Sequence, residues 1–284
     1  MSKRFVLKLS CPDRPGIVHA VTGVLLAQGG NILTSAQHGD ADHQRFFMRI
    51  EFECPATLEA LRAAFAGVAA QMQMDWELVS AAAKTRVLLL VSKLGHCLND
   101  LLFRVQTAHL PIEIPAIVSN HRDFEPLAAA HGIPFHHLPL LGASAEEKAS
   151  QEERVRALIE AERIELVVLA RYMQILSPAM CEFLAGRAIN IHHSFLPSFK
   201  GARPYHQAHE RGVKLIGATA HYVTSDLDEG PIIEQEIARI DHSMPPEQLV
   251  AIGRDTECVT LARAIQWHAE HRVLLNGHRT VVFR

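Results

Sequence analysis

An asparagine and a histidine stand two residues apart at the end of an apolar run, in the stretch 188–192 (AINIH). In a β-strand, residues two apart project from the same face, so Asn190 and His192 are expected to lie together. Carboxylates follow in a turn at 226–230 (DLDEG). An amide, an imidazole and a carboxylate suit acyl transfer or amide hydrolysis, because they stabilise an oxyanion, transfer a proton and orient the ring. Spacing alone also allows a purely structural hydrogen-bonding role.

These residues belong to a region of alternating strands and helices that begins near residue 85. The continuous apolar run at 86–91 (RVLLLV) is typical of a parallel strand covered on both faces. Further strands are predicted at 114–118, 135–138, 166–170, 188–191, 215–223, 232–240 and 280–283. Helices are predicted at 98–108, 124–131, 145–163, 178–184 and 246–271. The alternation predicts an open, mostly parallel α/β sheet of Rossmann-like type, in which ligands bind beyond the carboxyl ends of the strands.

The first 80 residues show a different order of elements. A strand at 5–9, a turn at 13–16 (DRPG) and a helix at 17–28 precede a hairpin of strands 31–37 and 45–52. A helix at 57–72 and a strand at 75–79 complete a ferredoxin-like βαββαβ order. Small residues at 80–83 suit a boundary, so the sequence predicts two domains, 1–83 and 84–284.

The composition narrows the classes of partner. The chain has 284 residues, of which 48% are hydrophobic, and this is enough to bury compact cores. Its formal net charge of -3 leaves no basic excess, so neither a nucleic acid nor a membrane is an expected partner. The five cysteines are scattered and form no C-x-x-C pair, which favours a reducing, cytoplasmic location over a disulfide framework.

Three separated motifs, in the right order, resemble the folate-dependent formyltransferase family. They are NIHHSFLPSFKG at 190–201, DEGP at 228–231 and RYMQILS at 171–177. The resemblance covers the second predicted domain and implies that Asn190, His192 and Asp228 form the catalytic trio. Asn190 would donate to the developing oxyanion, His192 would transfer the proton, and Asp228 would hold the imidazole charged and oriented.

The same resemblance implies 10-formyltetrahydrofolate as the substrate, with no tightly bound cofactor. It also implies that the folate-binding residues are Arg171, Tyr172, Met173, Ile175 and Leu176. Lys200 and Arg203 either meet the glutamate tail of the folate or are solvated loop charges. His193 and His221 either support the trio or simply pack. The pairs His136-His137 and His192-His193 lack further ligands, so no catalytic metal is expected.

The first domain resembles an ACT domain through its 13–16 turn and GNI at 30–32. ACT domains bind small amino acids at subunit interfaces, so the resemblance implies Asp13, Gly16, Gly30 and Asn31 as effector-binding residues. The glycines equally fit a simple turn and helix end. The resemblance implies glycine or methionine as effector and a homo-oligomer, either a dimer or a tetramer.

An ACT-like domain ahead of a formyltransferase-like domain resembles the deformylases, in which water accepts the formyl group and the formate released supplies purine synthesis. The loop 92–99 (SKLGHCLN) supports this, because a single Gly95 makes a poor phosphate cradle for a ribonucleotide acceptor. Two alternatives remain at this stage. One is a transferase to an amine acceptor, and the other is a non-catalytic amino-acid sensor.

Overall fold

The computed structural model describes residues 2–140, 144–194 and 204–284, which form two compact units. One unit is Met1–Ala83 with Trp267–Arg284, and the other is Lys84–Gln266. Within the described residues the strands are β1 (Lys3–Pro12), β2 (Asn31–Asp40), β3 (Arg45–Cys54), β4 (Asp75–Ser80), β5 (Thr85–Val91), β6 (Ile112–Ser119), β7 (Phe135–His137), β8 (Leu166–Leu169), β9 (Ala188–His192), β10 (Leu215–Tyr222), β11 (Ile232–Arg239), β12 (Val273–Asn276) and β13 (Arg279–Val282). The helices are α1 (Ile17–Ala27), α2 (Leu58–Gln71), α3 (His96–Gln106), α4 (Glu125–Ala130), α5 (Ala145–Ala161), α6 (Pro178–Phe183), α7 (Pro204–Glu210) and α8 (Pro246–Ala269).

The first unit is built on an antiparallel sheet with the strand order β2-β3-β1-β4. Because side chains alternate along a strand, one face of β3 carries Phe46, Met48, Ile50 and Phe52 into the core. Apolar residues of α1 and α2 cover this face. The βαββαβ order predicted from the sequence is confirmed.

The opposite face of the same sheet is covered by the chain's C-terminal hairpin, β12–β13. Phe47 points to this face and clusters with Leu274 and Phe283. Arg49, two residues along β3, donates to the Glu270 carbonyl at 3.0 and 3.2 Å. From the sequence, 280–283 was expected in the second domain, whereas the structure groups 267–284 with the first unit. The physical reason is that Phe47, a large apolar side chain on the second face of β3, is buried under the hairpin residues Leu274 and Phe283.

The second unit contains a sheet of seven strands in the order β11-β10-β9-β8-β5-β6-β7. Strands β5 to β9 run parallel to one another, and β10 is antiparallel to both β9 and β11. The predicted open, mostly parallel sheet is confirmed. None of the helices in the described ranges combines the length and the apolar character that crossing a membrane requires.

The strand order places a reversal beside β5. From β5 the chain proceeds to β6 and β7 on one side, and it then returns to build β8 and β9 on the other side. In open α/β sheets such a reversal leaves a crevice at the carboxyl ends of the strands. The polar residues at the ends of β8 and β9 are therefore in the position where a ligand is expected.

Candidate active site

A cavity of about 370 Å³ opens where β8 and β9 end. Its walls come from the segment after β8, from the last residues of β9 and from the loop that joins β10 to β11. The three residues predicted to be catalytic and the five predicted to bind folate all line it: Asn190, His192, Asp228, Arg171, Tyr172, Met173, Ile175 and Leu176. Lys200 and Arg203 lie outside the described residues.

His192 and Asp228 form the polar centre of this cavity. His192 Nδ1 lies 3.1 Å from Asp228 Oδ1, and the His192 side chain is buried. Hydrogen bonding to His192 lowers the pKa of Asp228 below its usual value. Asp228 itself has a left-handed backbone with φ of 59°, a conformation uncommon for a non-glycine residue and concentrated at functional sites. The pair can therefore hold a negative carboxylate against the ring.

The other ring nitrogen of His192, Nε2, is buried and has no hydrogen-bond partner among the described residues. Leaving a buried polar atom unpaired costs about 1–3 kcal/mol. Such an atom is expected where a substrate supplies the missing partner.

The His221 ring lies between Asn190 and the Asp228 carboxylate. Its Nδ1 lies 2.8 Å from the Tyr222 carbonyl and therefore carries the proton, which leaves Nε2 as an acceptor. Asn190 Nδ2 donates to that Nε2 at 3.3 Å, and Asp228 Oδ1 is 3.8 Å away. Burial lowers the pKa of His221, which favours this neutral form. The ring thus fixes the orientation of the Asn190 amide, a supporting role that the sequence left undecided against simple packing.

Gly230 makes the close approach of these strands possible. A Cβ at this position would lie 1.7 Å from the Tyr222 carbonyl oxygen and 3.2 Å from His221 Nδ1. Any larger residue would therefore displace the backbone that accepts the His221 proton. The close contact with Tyr222 therefore explains why the DEGP motif has a glycine at position 230.

A second carboxylate–histidine pair, missed by the sequence analysis, lies outside the cavity lining. Glu257 of α8 accepts hydrogen bonds from His96 Nε2 and from the Tyr205 hydroxyl, both at 2.7 Å. Arg171 Nε lies 3.5 Å from it, an ion-pair distance without a hydrogen bond. Although burial by itself raises the pKa of Glu257, the His96 bond and the Arg171 charge lower it. The sequence does hold one signal for this pair. Glu257 lies one helical turn after Gly253 on the face of α8 that is buried, where a charged residue is unusual.

The Glu257 pair also bears on metal binding. In the described ranges, His96, Cys97 and Glu257 form a group with potential ligand atoms within 4.8 Å of one another. His96 and Glu257 already satisfy each other, and a cation, Arg171, stands beside them. This arrangement fits a hydrogen-bonded ion pair better than a metal site. The pairs His136-His137 and His192-His193 are not part of the group.

His193 stands beside His192, with the two ring centroids 5.0 Å apart. Burial, together with the charges of Arg171 and His192, lowers the pKa of His193 to about 4. It is therefore neutral at neutral pH, and it adds no second positive charge beside His192.

The loop before α3 has no room for a phosphate cradle at its glycine. A Cβ on Gly95 would lie 2.2 Å from a Phe124 ring carbon, so this ring fills the space beside the glycine. Gly95 therefore serves close packing at the start of α3, which agrees with its interpretation as a poor phosphate cradle.

The predicted effector residues lie in turns of the first unit. Gly16 precedes α1 with φ of 90°, a conformation that favours glycine. A Cβ on Gly30 would lie 2.9 Å from the Leu25 carbonyl oxygen. Asp13 donates its backbone N–H to the Gln44 carbonyl at 2.9 Å, and Asn31 begins β2. These positions have local structural explanations, and their effector role stays a prediction.

Each of the two units matches a known protein family. The formyl transferase family matches residues 85–265, and the ACT domain family matches residues 5–69. A formyltetrahydrofolate deformylase of Corynebacterium sp. (strain P-1) is 52% identical, over 99% of this chain and 98% of its own length. One of Bacillus subtilis (strain 168) is 49% identical, over 98% of this chain and 93% of its own.

Solved structures give the same result. The crystal structure of formyltetrahydrofolate deformylase from Burkholderia mallei ATCC 23344 has a TM-score of 0.95 and 55% identity, covering 99% of this chain and 100% of that one. Glycinamide ribonucleotide transformylase 1 from Symbiobacterium toebii has a TM-score of 0.65 and 29% identity, covering 71% of this chain and 95% of its own. The similarity to the deformylases thus includes the ACT region, which a transformylase of that length does not cover.

Proposed function

Because the chain belongs to the formyltetrahydrofolate deformylase family, we propose that it hydrolyses 10-formyltetrahydrofolate to formate and tetrahydrofolate, with water as the formyl acceptor. One observation carries the proposal at the level of the site. Asn190, His192 and Asp228 line one cavity together with the largely apolar segment 171–176. Reactive groups and a surface for the folate are thereby adjacent.

Attack by water is the first chemical step. The water oxygen bonds to the N10-formyl carbon, and the carbonyl electron pair moves to the formyl oxygen. Asn190 Nδ2 has two hydrogens, of which His221 takes one, so the other is available to this oxyanion. His192 Nε2, which has no partner among the described residues, supplies the second interaction when protonated.

Collapse of the tetrahedral intermediate breaks the bond between the formyl carbon and N10. The leaving nitrogen takes a proton from His192 or from an ordered water, and the electron pair of the oxyanion restores the carbonyl of formate. Asp228 holds the ring through Nδ1, so Nε2 is the nitrogen that exchanges the proton. A proton lost from the attacking water restores the starting state.

The folate is held by the segment after β8. Met173 and Ile175 are exposed apolar side chains of the cavity wall, as expected for residues that a flat ring covers. Tyr172 is buried, and burial raises the pKa of its hydroxyl to about 12, so it acts as a neutral group. Arg171 also lines this wall, and its Nε lies 3.5 Å from Glu257 outside the lining.

Isotope transfer tests the acceptor. The purified protein is incubated with 10-formyltetrahydrofolate in ¹⁸O-labelled water, with no amine added. Hydrolysis gives formate and tetrahydrofolate in equal amounts, and one ¹⁸O atom enters each formate. Formation of a formylated amine on adding amines, without labelled formate in their absence, would instead identify a transferase. No turnover under either condition would favour the sensor.

The first unit is proposed to bind a small amino acid, with glycine and methionine as the first candidates, and to regulate the hydrolysis. Calorimetry with each amino acid, run beside turnover assays, tests this. Saturable heat with a change in turnover supports it. Absence of both for both amino acids would remove the regulatory role.

The same unit favours a homo-oligomer, a dimer or a tetramer. Strand β2 is an edge of its sheet, and Ile32 and Leu33 on it are exposed. Pairing with a second copy would cover this edge. A monomeric mass in light scattering at micromolar concentration would contradict the proposal. The cytoplasmic location inferred from the cysteines stays a prediction.

A further inference from the structure

The segment 172–177 that carries the proposed folate surface has no regular secondary structure. Met173 and Ile175 on it are 57% and 62% exposed. A segment without ladder hydrogen bonds needs other contacts to keep such side chains in one place, because fixing each residue costs conformational entropy. Two adjacent residues of α5, Gln151 and Glu152, supply these contacts.

Gln151 holds the start of the segment. Its side chain is buried, and its Oε1 accepts a hydrogen bond from the Tyr172 hydroxyl at 3.3 Å. Its Nε2 donates to the Leu138 carbonyl at 2.5 Å, which fixes the amide orientation. The position of Tyr172 is therefore tied to α5 through an amide whose two ends are both engaged.

Glu152 holds the end of the segment. Its side chain is buried, and it accepts from the Ser177 backbone N–H at 2.7 Å and from the Ser177 hydroxyl. The same Ser177 oxygen accepts from the Met180 N–H at 3.2 Å and caps α6. One carboxylate thus fixes both the end of the segment and the start of the next helix.

We propose that Gln151 and Glu152 are positioning residues that hold both ends of segment 172–177 and thereby set the affinity for the folate. The inference rests on the proposed function for the identity of the ligand. Within the described part of the chain, the contacts found for Glu152 are with neutral donors rather than with a cation. Burying a carboxylate without a cation beside it costs desolvation free energy. In return, its two oxygens accept two hydrogen bonds from Ser177 at once and fix that residue in place.

The decisive variant is Glu152→Gln, which keeps the size of the side chain, removes its negative charge and leaves one acceptor oxygen for the two donors of Ser177. Glu153→Gln is the matched control, because it makes the same change at the exposed neighbour. We expect the KM for 10-formyltetrahydrofolate to rise about tenfold in Glu152→Gln, as for loss of a charge-assisted hydrogen bond. The kcat should stay within about twofold, because the catalytic trio is untouched.

Binding is measured separately from turnover by calorimetry with tetrahydrofolate, the reaction product. Its Kd should rise in parallel with KM in Glu152→Gln and stay unchanged in Glu153→Gln. Gln151→Met, which removes the bond to Tyr172, should raise the Kd by a smaller factor of about three. This second variant also tests the proposal if Glu152→Gln fails to fold.

Unchanged KM and Kd in folded Glu152→Gln and Gln151→Met would overturn the inference. So would a fall in Tm and kcat at constant KM, which is the result for a purely structural role. If the wild-type protein binds tetrahydrofolate but releases no formate, the proposed hydrolysis fails while the calorimetry still decides this inference. If it binds no folate, both fail.

Discussion

Two carboxylate–histidine pairs in the catalytic unit have the same chemistry and opposite surroundings. Asp228 lies 3.1 Å from His192 in the cavity wall, and its side chain is 16% exposed. Glu257 lies 2.7 Å from His96, is 2% exposed, and also accepts from Tyr205. In the first pair a ring nitrogen has no partner among the described residues, whereas both oxygens of Glu257 are engaged. The two pairs share residue types, so the types alone do not identify the pair proposed to be reactive. The buried ring nitrogen of His192 that lacks a hydrogen-bond partner among the described residues distinguishes it.

The largest expected effect is on catalysis at the first pair. Asn190→Ala removes the amide that His221 orients, and with it a donor to the oxyanion. Loss of one such donor costs roughly 3–4 kcal/mol, so kcat should fall 100-fold or more. The exposed Asn99→Ala is the control and should keep wild-type kcat. Near-normal turnover in Asn190→Ala would remove the amide from the mechanism.

The second pair should respond in stability. Glu257→Gln leaves Arg171 and His96 beside a neutral group, and breaking a buried pair in this way costs about 3 kcal/mol. The Tm should fall by several degrees, while kcat of the folded protein changes much less than in Asn190→Ala. Asp255→Asn, an exposed change on the same helix, should leave Tm unchanged. An unchanged Tm with a large loss of kcat in Glu257→Gln would contradict a structural role for the Glu257–His96 pair and give it a role in catalysis instead.

The smallest expected effect is on stability in acid. The two carboxylate–histidine pairs and the first unit should lose stability in different pH ranges. The lowered pKa values of Asp228 and Glu257 mean that their contributions are lost only as pH falls below about 4. His268 of the first unit is half-buried, and its desolvation lowers its pKa from 6.5 to about 3. Its unfolded form therefore binds a proton that the folded form does not, so stability falls as pH drops from 6.5 towards 3.

His268→Gln tests this assignment. Urea unfolding at pH 7 and pH 5 should show a loss of stability in the wild type that is smaller in the variant. The exposed His19→Gln, in the same unit, should retain the wild-type pH dependence. An equal loss in His268→Gln and the wild type would place the acid sensitivity elsewhere.

Local patterns in the sequence were sufficient to predict most of the elements and which of the candidate side chains line the cavity. The period of two along β9 predicted that Asn190 and His192 would share a face, and both line the cavity. The apolar run of β5 predicted a strand buried in a parallel sheet, which the structure confirms. These features depend on neighbours close in sequence.

Contacts between distant segments were beyond such patterns. His221 meets Asn190 across 31 positions through the β9–β10 register, and a histidine in a strand carries no mark of that pairing. Glu257 meets His96 across 161 positions. The C-terminal hairpin likewise contacts a distant segment, at Phe47, and local patterns placed 280–283 in the second domain instead.

The most direct test compares the two histidines in one assay. Formate release from 10-formyltetrahydrofolate, with no acceptor added, is measured for the wild type, His192→Ala and His96→Ala. We expect catalytic release by the wild type, a kcat lowered 100-fold or more in His192→Ala, and a kcat within about tenfold of wild type in folded His96→Ala. Equal losses in the two variants, or rapid release that survives His192→Ala, would contradict the assignment of the chemistry to the His192–Asp228 pair.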